Sequence, residues 1–287
     1  MGRPTLPPRH VEVRQTPVPF RSERANTPAI APPRSASPRD DGGQHSHAHR
    51  TGGIVPLDPT TLATLSRVST ATLTTVLLKH GLRNVWMRGT KPLKPGQPRL
   101  VGEAFTMRFV PAREDLATPE SWANPRSTRG AIEDMPVGVI VVVDAMGITD
   151  AGIFGNILCS RMQKRGVAGL VTDGVVRDGA GVLGSGLPVW CDGVAAPPSV
   201  AGLTFVNWQE PIGCGGVAVF PGDTIVVDDD GAVVIPAALL EKIVPEAAEQ
   251  EQLEEWIMGE IGKGVPLPGL YPANAETMAR YQKDMGR

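Results

Sequence analysis

A chain of 287 residues, 41% of them hydrophobic, is long enough to bury one sizeable core. Its formal charge of -2 excludes the strongly basic domain typical of nucleic-acid binding, and no apolar run approaches the roughly 18 residues that a membrane span needs. Three cysteines without a C-x-x-C pair exclude a disulfide framework and a zinc ribbon and fit a reducing compartment, so a cytoplasmic protein with a small-molecule partner is expected.

The N-terminal stretch differs in kind from the rest. Residues 1–50 hold eight arginines against Glu12, Glu23, Asp40 and Asp41, together with nine of the 28 prolines. Too little there is apolar to repay the entropy of folding, which predicts a disordered, basic, Pro-rich extension over 1–52 ahead of a domain over 53–287. A targeting segment is the alternative reading of its acid-poor composition.

Leu57 to His80 reads as two helices, LDPTTLATLSRV and STATLTTVLLKHG, with Ser69 as an N-cap and Gly81 just past the end. GEAFTMRFVPA alternates and is β-rich, so it is a predicted strand. The segment AREDLATPESWANPRSTRG then reads as loop with a short helix near Arg129 to Glu133. Val137 to Val143 is a continuous apolar run ending at Asp144, as for a strand buried on both faces. Ile153, Phe154, Ile157, Leu158, Arg161 and Met162 recur at helical spacing up to Arg165-Gly166, and Val167 to Thr172 forms another strand that stops at Asp173. This β-α-β pattern implies parallel strands, whose carboxyl ends gather ligands in open sheets. Asp144, Asp173, Arg177 and Asp178 are expected there.

The later chain is β-rich: GLPVWCDGV, LTFVNW and GVAVFPGDTIVVDDDGAVVIP, with Asp230-Gly231 as a hairpin turn. Trp190, Trp208 and Phe220 are expected in the core. A final amphipathic helix over Ala237 to Ile261 presents its glutamates to solvent.

GAGVLG, Gly179 to Gly184, matches a dinucleotide-binding pattern. Pro188 follows too soon for a long helix, and Asp192 comes too early to serve a ribose, so the match is a decoy. The preceding Arg177-Asp178 pair admits two readings. A carboxylate can hold a hard divalent metal and a guanidinium can grip a substrate carboxylate, or the two can form a salt-bridged turn. Spacing alone does not separate them.

FGNILCSRMQKRGVAGLVTDGVVRD, GLPVWCDGV, GCGGVAVFPGD and VVDDDGAVVIP together resemble the family that joins 4-hydroxy-4-methyl-2-oxoglutarate aldolase with the regulator-of-ribonuclease-E-activity-A-like proteins. The resemblance covers roughly Leu57 to Ile261. It implies an α/β fold of the swivelling β/β/α type in a single domain, with a parallel β-α-β core and a β-rich second half, assembled as a homotrimer or homohexamer. It also implies that Arg177 binds the pyruvyl portion of a 2-oxo acid, that Asp178 binds Mg²⁺ or Mn²⁺, and that Gly155, Asn156, Ile157 and Leu158 supply substrate contacts. Helical spacing puts those four residues slightly inside a helix. Relatives often carry an acid where this chain has Asn156, and an amide cannot act as a base.

The implied activity is a divalent-metal-dependent lyase that cleaves a 4-hydroxy-2-oxo acid to pyruvate and a second oxo compound, with oxaloacetate decarboxylation as a side activity, because both reactions leave a pyruvate enolate. A Schiff-base route needs a lysine on a buried strand, whereas Lys79 and Lys164 fall on helices and Lys91 and Lys94 in a loop. Two alternatives stay open: a metal-dependent hydratase or dehydratase of a sugar-derived 2-oxo acid, and a non-catalytic protein that regulates a ribonuclease. The insert AREDLATPESWANPRSTRG, with Arg108 and Arg113 at its start, departs from the shorter aldolase pattern. If it covers the pocket, the substrate is larger or carries another acid group.

Overall fold

Asp58 and Ser69 start the first two helices of the computed structural model, which describes residues 57–287. The expectation for residues 1–52 lies outside the described residues. Asp58 accepts the amides of Thr60 and Thr61 at 2.9 Å each, and Pro59 stands where a missing N–H costs nothing, so α1 forms over Pro59–Leu65. Ser69 accepts the Thr72 amide at 3.0 Å and opens α2, Thr70–Lys79, which Gly81 ends at a positive φ of 82°.

Two short strands follow, β1 (Trp86–Met87) and β2 (Lys91–Pro92), then the long β3 (Leu100–Pro111). After a loop and α3 (Thr128–Asp134) come β4 (Ile140–Asp144), α4 (Asn156–Lys164), β5 (Gly169–Thr172), α5 (Gly179–Gly184), β6 (Val189–Cys191) and β7 (Leu203–Trp208). β8 (Thr224–Asp228) and β9 (Gly231–Ile235) make the predicted hairpin, and α6 (Leu240–Gly262) and α7 (Ala275–Asp284) end the chain.

The sheet runs β1-β9-β8-β3-β4-β5-β6-β2, with β7 also on β3. β3 organises it: Leu100 to Glu103 pair antiparallel with β8, Ala104 to Arg108 pair parallel with β4, and Met107 to Pro111 pair antiparallel with β7. β4–β5 and β5–β6 are parallel, as the β-α-β pattern requires. The outermost strands β1 and β2 are joined by only Arg88, Gly89 and Thr90, a reach of at most about 15 Å. Such a short link between opposite edges demands that the sheet curl strongly. The result is the mixed α/β architecture expected.

Both faces of that sheet are buried. Ile140 and Val142 point to a core shared with α1, α2, α6, β8 and β9, while Val141 and Val143 point to a second core under α3 and α4. This explains why β4 reads as an unbroken apolar run.

Several sequence expectations shift. The β4 strand starts at Ile140, not Val137: Gly138 adopts a φ of 82° and its N–H reaches Gly166, so the chain turns there and leaves Val137 78% exposed. Ile153 and Phe154 are buried, but ahead of α4. GAGVLG does form a helix, though one of only six residues that ends at Ser185 before Pro188. Trp190 is fully buried as expected, whereas Trp208 is half-buried and Phe220 lies on the surface. Lys91 belongs to the edge strand β2 and is solvent-exposed. The glutamates of α6 are not simply solvated: Glu251 accepts the Ser69 amide, Glu254 the Thr72 hydroxyl, and Glu246 pairs with His80.

Helix α7 lies beyond the final element that periodicity suggests. Asn274 caps it through the Thr277 amide, and its fully buried Tyr281 meets Trp256 edge-on, ring centres 5.7 Å apart. No helix among the described residues is long and apolar enough to cross a membrane.

Candidate functional site

Arg177 and Asp178 lie beyond the end of β5 rather than on it. The intervening Val175 and Val176 are buried and bridge to Gly152 and Val194, so the loop continues the sheet one step past its regular edge. The Arg177 amide donates to the Phe154 carbonyl at 2.8 Å, which fixes the backbone of the motif against the approach to α4.

Two glycines make that approach possible. A Cβ on Gly152 would stand 2.6 Å from the Arg177 nitrogen and 2.7 Å from its Cβ. A Cβ on Gly155 would press the Arg177 stem, at 3.2 Å from Cγ. Arg177 is therefore laid across bare backbone, and its guanidinium has no carboxylate partner among the described residues.

Asp178 takes the left-handed conformation, φ 53° and ψ 56°, which among non-glycine residues aspartate and asparagine tolerate best. Its side chain caps α5 by accepting the Gly181 amide at 3.3 Å through Oδ1. Gly181 is the third required glycine: a Cβ there would stand 2.2 Å from Asp178 Oδ2 and 2.8 Å from the Asn156 Cβ. The start of α5 and the start of α4 thus meet across Gly181, bringing Asp178 beside Asn156.

Gly155 stands just before α4, while Asn156, Ile157 and Leu158 lie just inside it, as helical spacing placed them. Gly155 is the N-cap and offers no side chain, and the other three make the first turn, where Asn156 Oδ1 accepts the Ile157 amide at 2.8 Å. Such a terminus presents backbone donors and the positive end of the helix dipole to an anion.

All six residues singled out from the sequence line one cavity of about 590 Å³, with Gly152, Ile153, Pro198 and Ser199. Trp122, Thr128 and Arg129 complete its wall. The insert therefore does reach the pocket, but not through its first arginines. Arg113 is tied to Asp115 at 2.6 Å in solvent, and Arg108 is an exposed strand residue outside the cavity wall. Gly130 lets α3 press on the insert, since a Cβ there would stand 2.0 Å from the Pro125 carbonyl oxygen. Arg129 then stacks on Trp122, 4.7 Å from the ring centre, and burial lowers its pKa from the usual arginine range. Nothing in spacing pointed to Trp122 or Arg129; an unpaired arginine seven residues after a tryptophan becomes a signal only once both face the same cavity.

Asp144 and Asp173 end their strands as expected, yet they do not line the cavity. Asp144 accepts the amides of Met146 and Gly213, and Asp173 those of Ala145, Gly147 and Gly215 at 2.8, 3.2 and 3.0 Å. Burial raises the Asp173 pKa despite these donors. Both carboxylates are consumed in holding loops together.

Asp178 is the one acid on the cavity wall, and no group of three His, Cys, Asp or Glu side chains among the described residues forms a metal cage. One exposed carboxylate suits a hard cation that keeps most of its shell as water and substrate oxygen, the habit of Mg²⁺ and Mn²⁺ rather than of zinc. The donor set fits such an ion.

The chain is a mixed α/β protein with Arg177 and Asp178 on the wall of one cavity, and comparison with known proteins shows its family. The family model described as RraA-like: Aldolase/RraA matches residues 68–234, and the chain belongs to that family. A protein of Halalkalibacterium halodurans, provisionally named 4-hydroxy-4-methyl-2-oxoglutarate aldolase, is 33% identical over 166 residues, 58% of this chain and 72% of that protein. DlpA of Legionella pneumophila is 29% identical over 177 residues, but these span 62% of this chain and only 28% of DlpA. Among solved structures, Streptomyces coelicolor RraAS2, described as an unusual member of the RNase ES inhibitor RraA protein family, superposes with a TM-score of 0.63 at 35% identity, covering 70% of this chain and 97% of RraAS2. An uncharacterised protein from Pseudomonas syringae gives 0.65 at 27% identity, covering 76% and 99%.

Proposed function

We propose that the protein is a divalent-metal-dependent lyase that cleaves a 4-hydroxy-2-oxo acid of the 4-hydroxy-4-methyl-2-oxoglutarate type to pyruvate and a second oxo compound, with oxaloacetate decarboxylation as a side activity. The observation that carries this reading is the guanidinium of Arg177, without a carboxylate partner among the described residues, on the wall of the same cavity as the exposed carboxylate of Asp178. The aldolase name of the Halalkalibacterium halodurans relative supports it.

Arg177 binds the 2-oxo carboxylate through its planar fork. The first-turn amides of α4 other than that of Ile157, which Asn156 Oδ1 already accepts, offer further donors to the same group. Asp178 would hold Mg²⁺ or Mn²⁺, which supplies Lewis-acid stabilisation of enolate charge when bound. Arg177 adds positive charge at the same place without rearranging, since Gly152 and Gly155 fix its stem. Asn156, beside Asp178, can orient a proton-carrying group by hydrogen bonding but cannot take its proton.

The rim of the site is apolar. Ile157 is 78% and Val194 57% exposed, which supports assembly as a homotrimer or homohexamer in which a second copy covers this edge. Mass measurement by light scattering tests that assembly. The three free thiols fit the cytoplasm.

RraAS2 favours a second reading, a ribonuclease-regulating role without catalysis. Release of pyruvate from 4-hydroxy-4-methyl-2-oxoglutarate and oxaloacetate, followed with lactate dehydrogenase and NADH, separates the two. Metal-dependent release supports the lyase, and none from metal-loaded protein supports the regulator.

A further inference from the structure

We propose that Arg129, laid on Trp122, selects substrates that carry a second carboxylate, so that the cavity holds a dicarboxylic 2-oxo acid between two arginines. The inference rests on the reading of Arg177 as the 2-oxo carboxylate binder.

Arg129 ought to have a counter-ion close by. Glu133 lies four residues on in α3, the position from which an acid reaches an arginine on the same helix face. That acid is already engaged: Arg161 grips it through two bonds of 2.8 and 2.7 Å, and Arg165 adds a third at 3.2 Å. Both competitors come from the α4 region, so the packing of α4 against α3 is what strips Arg129 of its partner. Its side-chain hydrogen bond within the described residues is a long one of 3.4 Å to the Thr128 hydroxyl.

The guanidinium is instead supported by an aromatic face. The guanidinium carbon lies over the Trp122 ring, 4.7 Å from its centre, and an aromatic contact of this kind takes up none of the hydrogen-bonding capacity that a carboxylate would use. Half-buried, on the cavity wall and without an anion among the described residues, Arg129 is poised to bind one.

Formal charge points the same way. Arg177 and Arg129 against Asp178 leave the wall at +1, and a divalent cation on Asp178 would raise it to +3. With that cation bound, a dianion balances the wall better than a monoanion, whereas at +1 a single carboxylate already suffices. The volume of about 590 Å³ also leaves room beyond a three-carbon acid.

The test compares two acids of equal length, 2-oxoglutarate and 2-oxopentanoate, by isothermal titration in Mg²⁺ on the intact protein. Neither is an aldol, so binding is read apart from cleavage. Wild type is expected to prefer 2-oxoglutarate by about tenfold or more, the scale of one charged hydrogen-bonding contact. Arg129→Gln should abolish the preference while 2-oxopentanoate binding stays within about twofold, and Arg129→Lys should restore part of it. A preference that survives Arg129→Gln, equal weakening of both acids, or no binding of either acid to wild type overturns the inference. Pyruvate release measured on the same preparation tells the readings apart. Cleavage with an Arg129-independent preference sinks this inference alone, and an Arg129-dependent preference without cleavage sinks the lyase alone.

Discussion

Gly152 supports Arg177 by having no side chain: the missing Cβ would fall 2.6 Å from the Arg177 backbone nitrogen. Backbone cannot rotate out of the way, so the arginine has to move. Gly152→Ala should therefore cost on the order of 10²-fold in kcat/KM for pyruvate release, the loss expected from misplacing a binding group by about an ångström. Overpacking should also lower stability by about 1–3 kcal/mol. Steady-state kinetics at a temperature where the variant is folded check this, and unchanged kcat/KM would refute the contact.

Asp178 has two duties that can be separated. As N-cap it needs only an oxygen acceptor and a tolerance for φ 53°, both of which asparagine supplies. Asp178→Asn should thus melt within about 1 kcal/mol of wild type, while the metal concentration for half-maximal pyruvate release rises at least tenfold. Equal metal dependence in both proteins would show the carboxylate to be a cap alone.

The run Asp228 to Asp230 is a structural clasp. Asp228 accepts the Thr70 amide and hydroxyl at 2.8 and 2.7 Å and the Asp230 amide at 3.0 Å, tying the β8–β9 hairpin to the start of α2. Asp228→Ala should destabilise the fold by about 2 kcal/mol, as expected from losing a cap and bonds to a charged acceptor. Urea unfolding reads that loss, and kcat of the folded fraction should be unaltered.

Burial raises the Asp173 pKa, so the native state holds this proton more tightly than the unfolded chain does. Between the ordinary carboxylate pKa and the raised one, stability must fall as pH rises. Asp173→Asn lacks that slope. It also loses an acceptor for the three amides that converge there, and should be less stable at pH 7 by about 1–3 kcal/mol. Urea midpoints from pH 4 to 7 should show a flatter profile for the variant; parallel profiles would contradict the assignment.

The thiols are expected to be inert. Cys159, pushed up to about 12 by burial, and Cys214, fully enclosed and also raised by burial, are both in the core, as is Cys191. A disulfide reagent should modify none of the three rapidly in the native protein and all of them in denaturant.

Local pattern revealed much of this. The β4 and β5 strands, the caps Ser69 and Gly81 and the hairpin at Asp230 follow from apolar runs and turn chemistry, which act over a few residues. Arg177 and Asp178 stood out through their motif. The role of Gly152 and Gly181 was hidden because it depends on which chain crosses them, a tertiary fact. Trp122 and Arg129 were hidden for the same reason: Arg129 matters because Arg161 and Arg165, more than thirty residues away, take its helical partner Glu133. Asp144 and Asp173 misled, since a carboxylate at a strand end can serve backbone amides as well as a ligand. Helix α7 escaped because it is mostly polar in composition and its buried face rests on Thr277 and Tyr281 rather than on a run of aliphatic residues.

Arg177 and Asp178 are proposed to form a metal-assisted 2-oxo acid site. Pyruvate release from 4-hydroxy-4-methyl-2-oxoglutarate, in Mg²⁺ and in chelator, with wild type, Asp178→Asn and Arg177→Lys, tests it most directly. Release should stop in chelator and fall on the order of 10²-fold or more in each variant, the scale of losing one main electrostatic stabiliser. Release that persists in chelator and in both variants would contradict it.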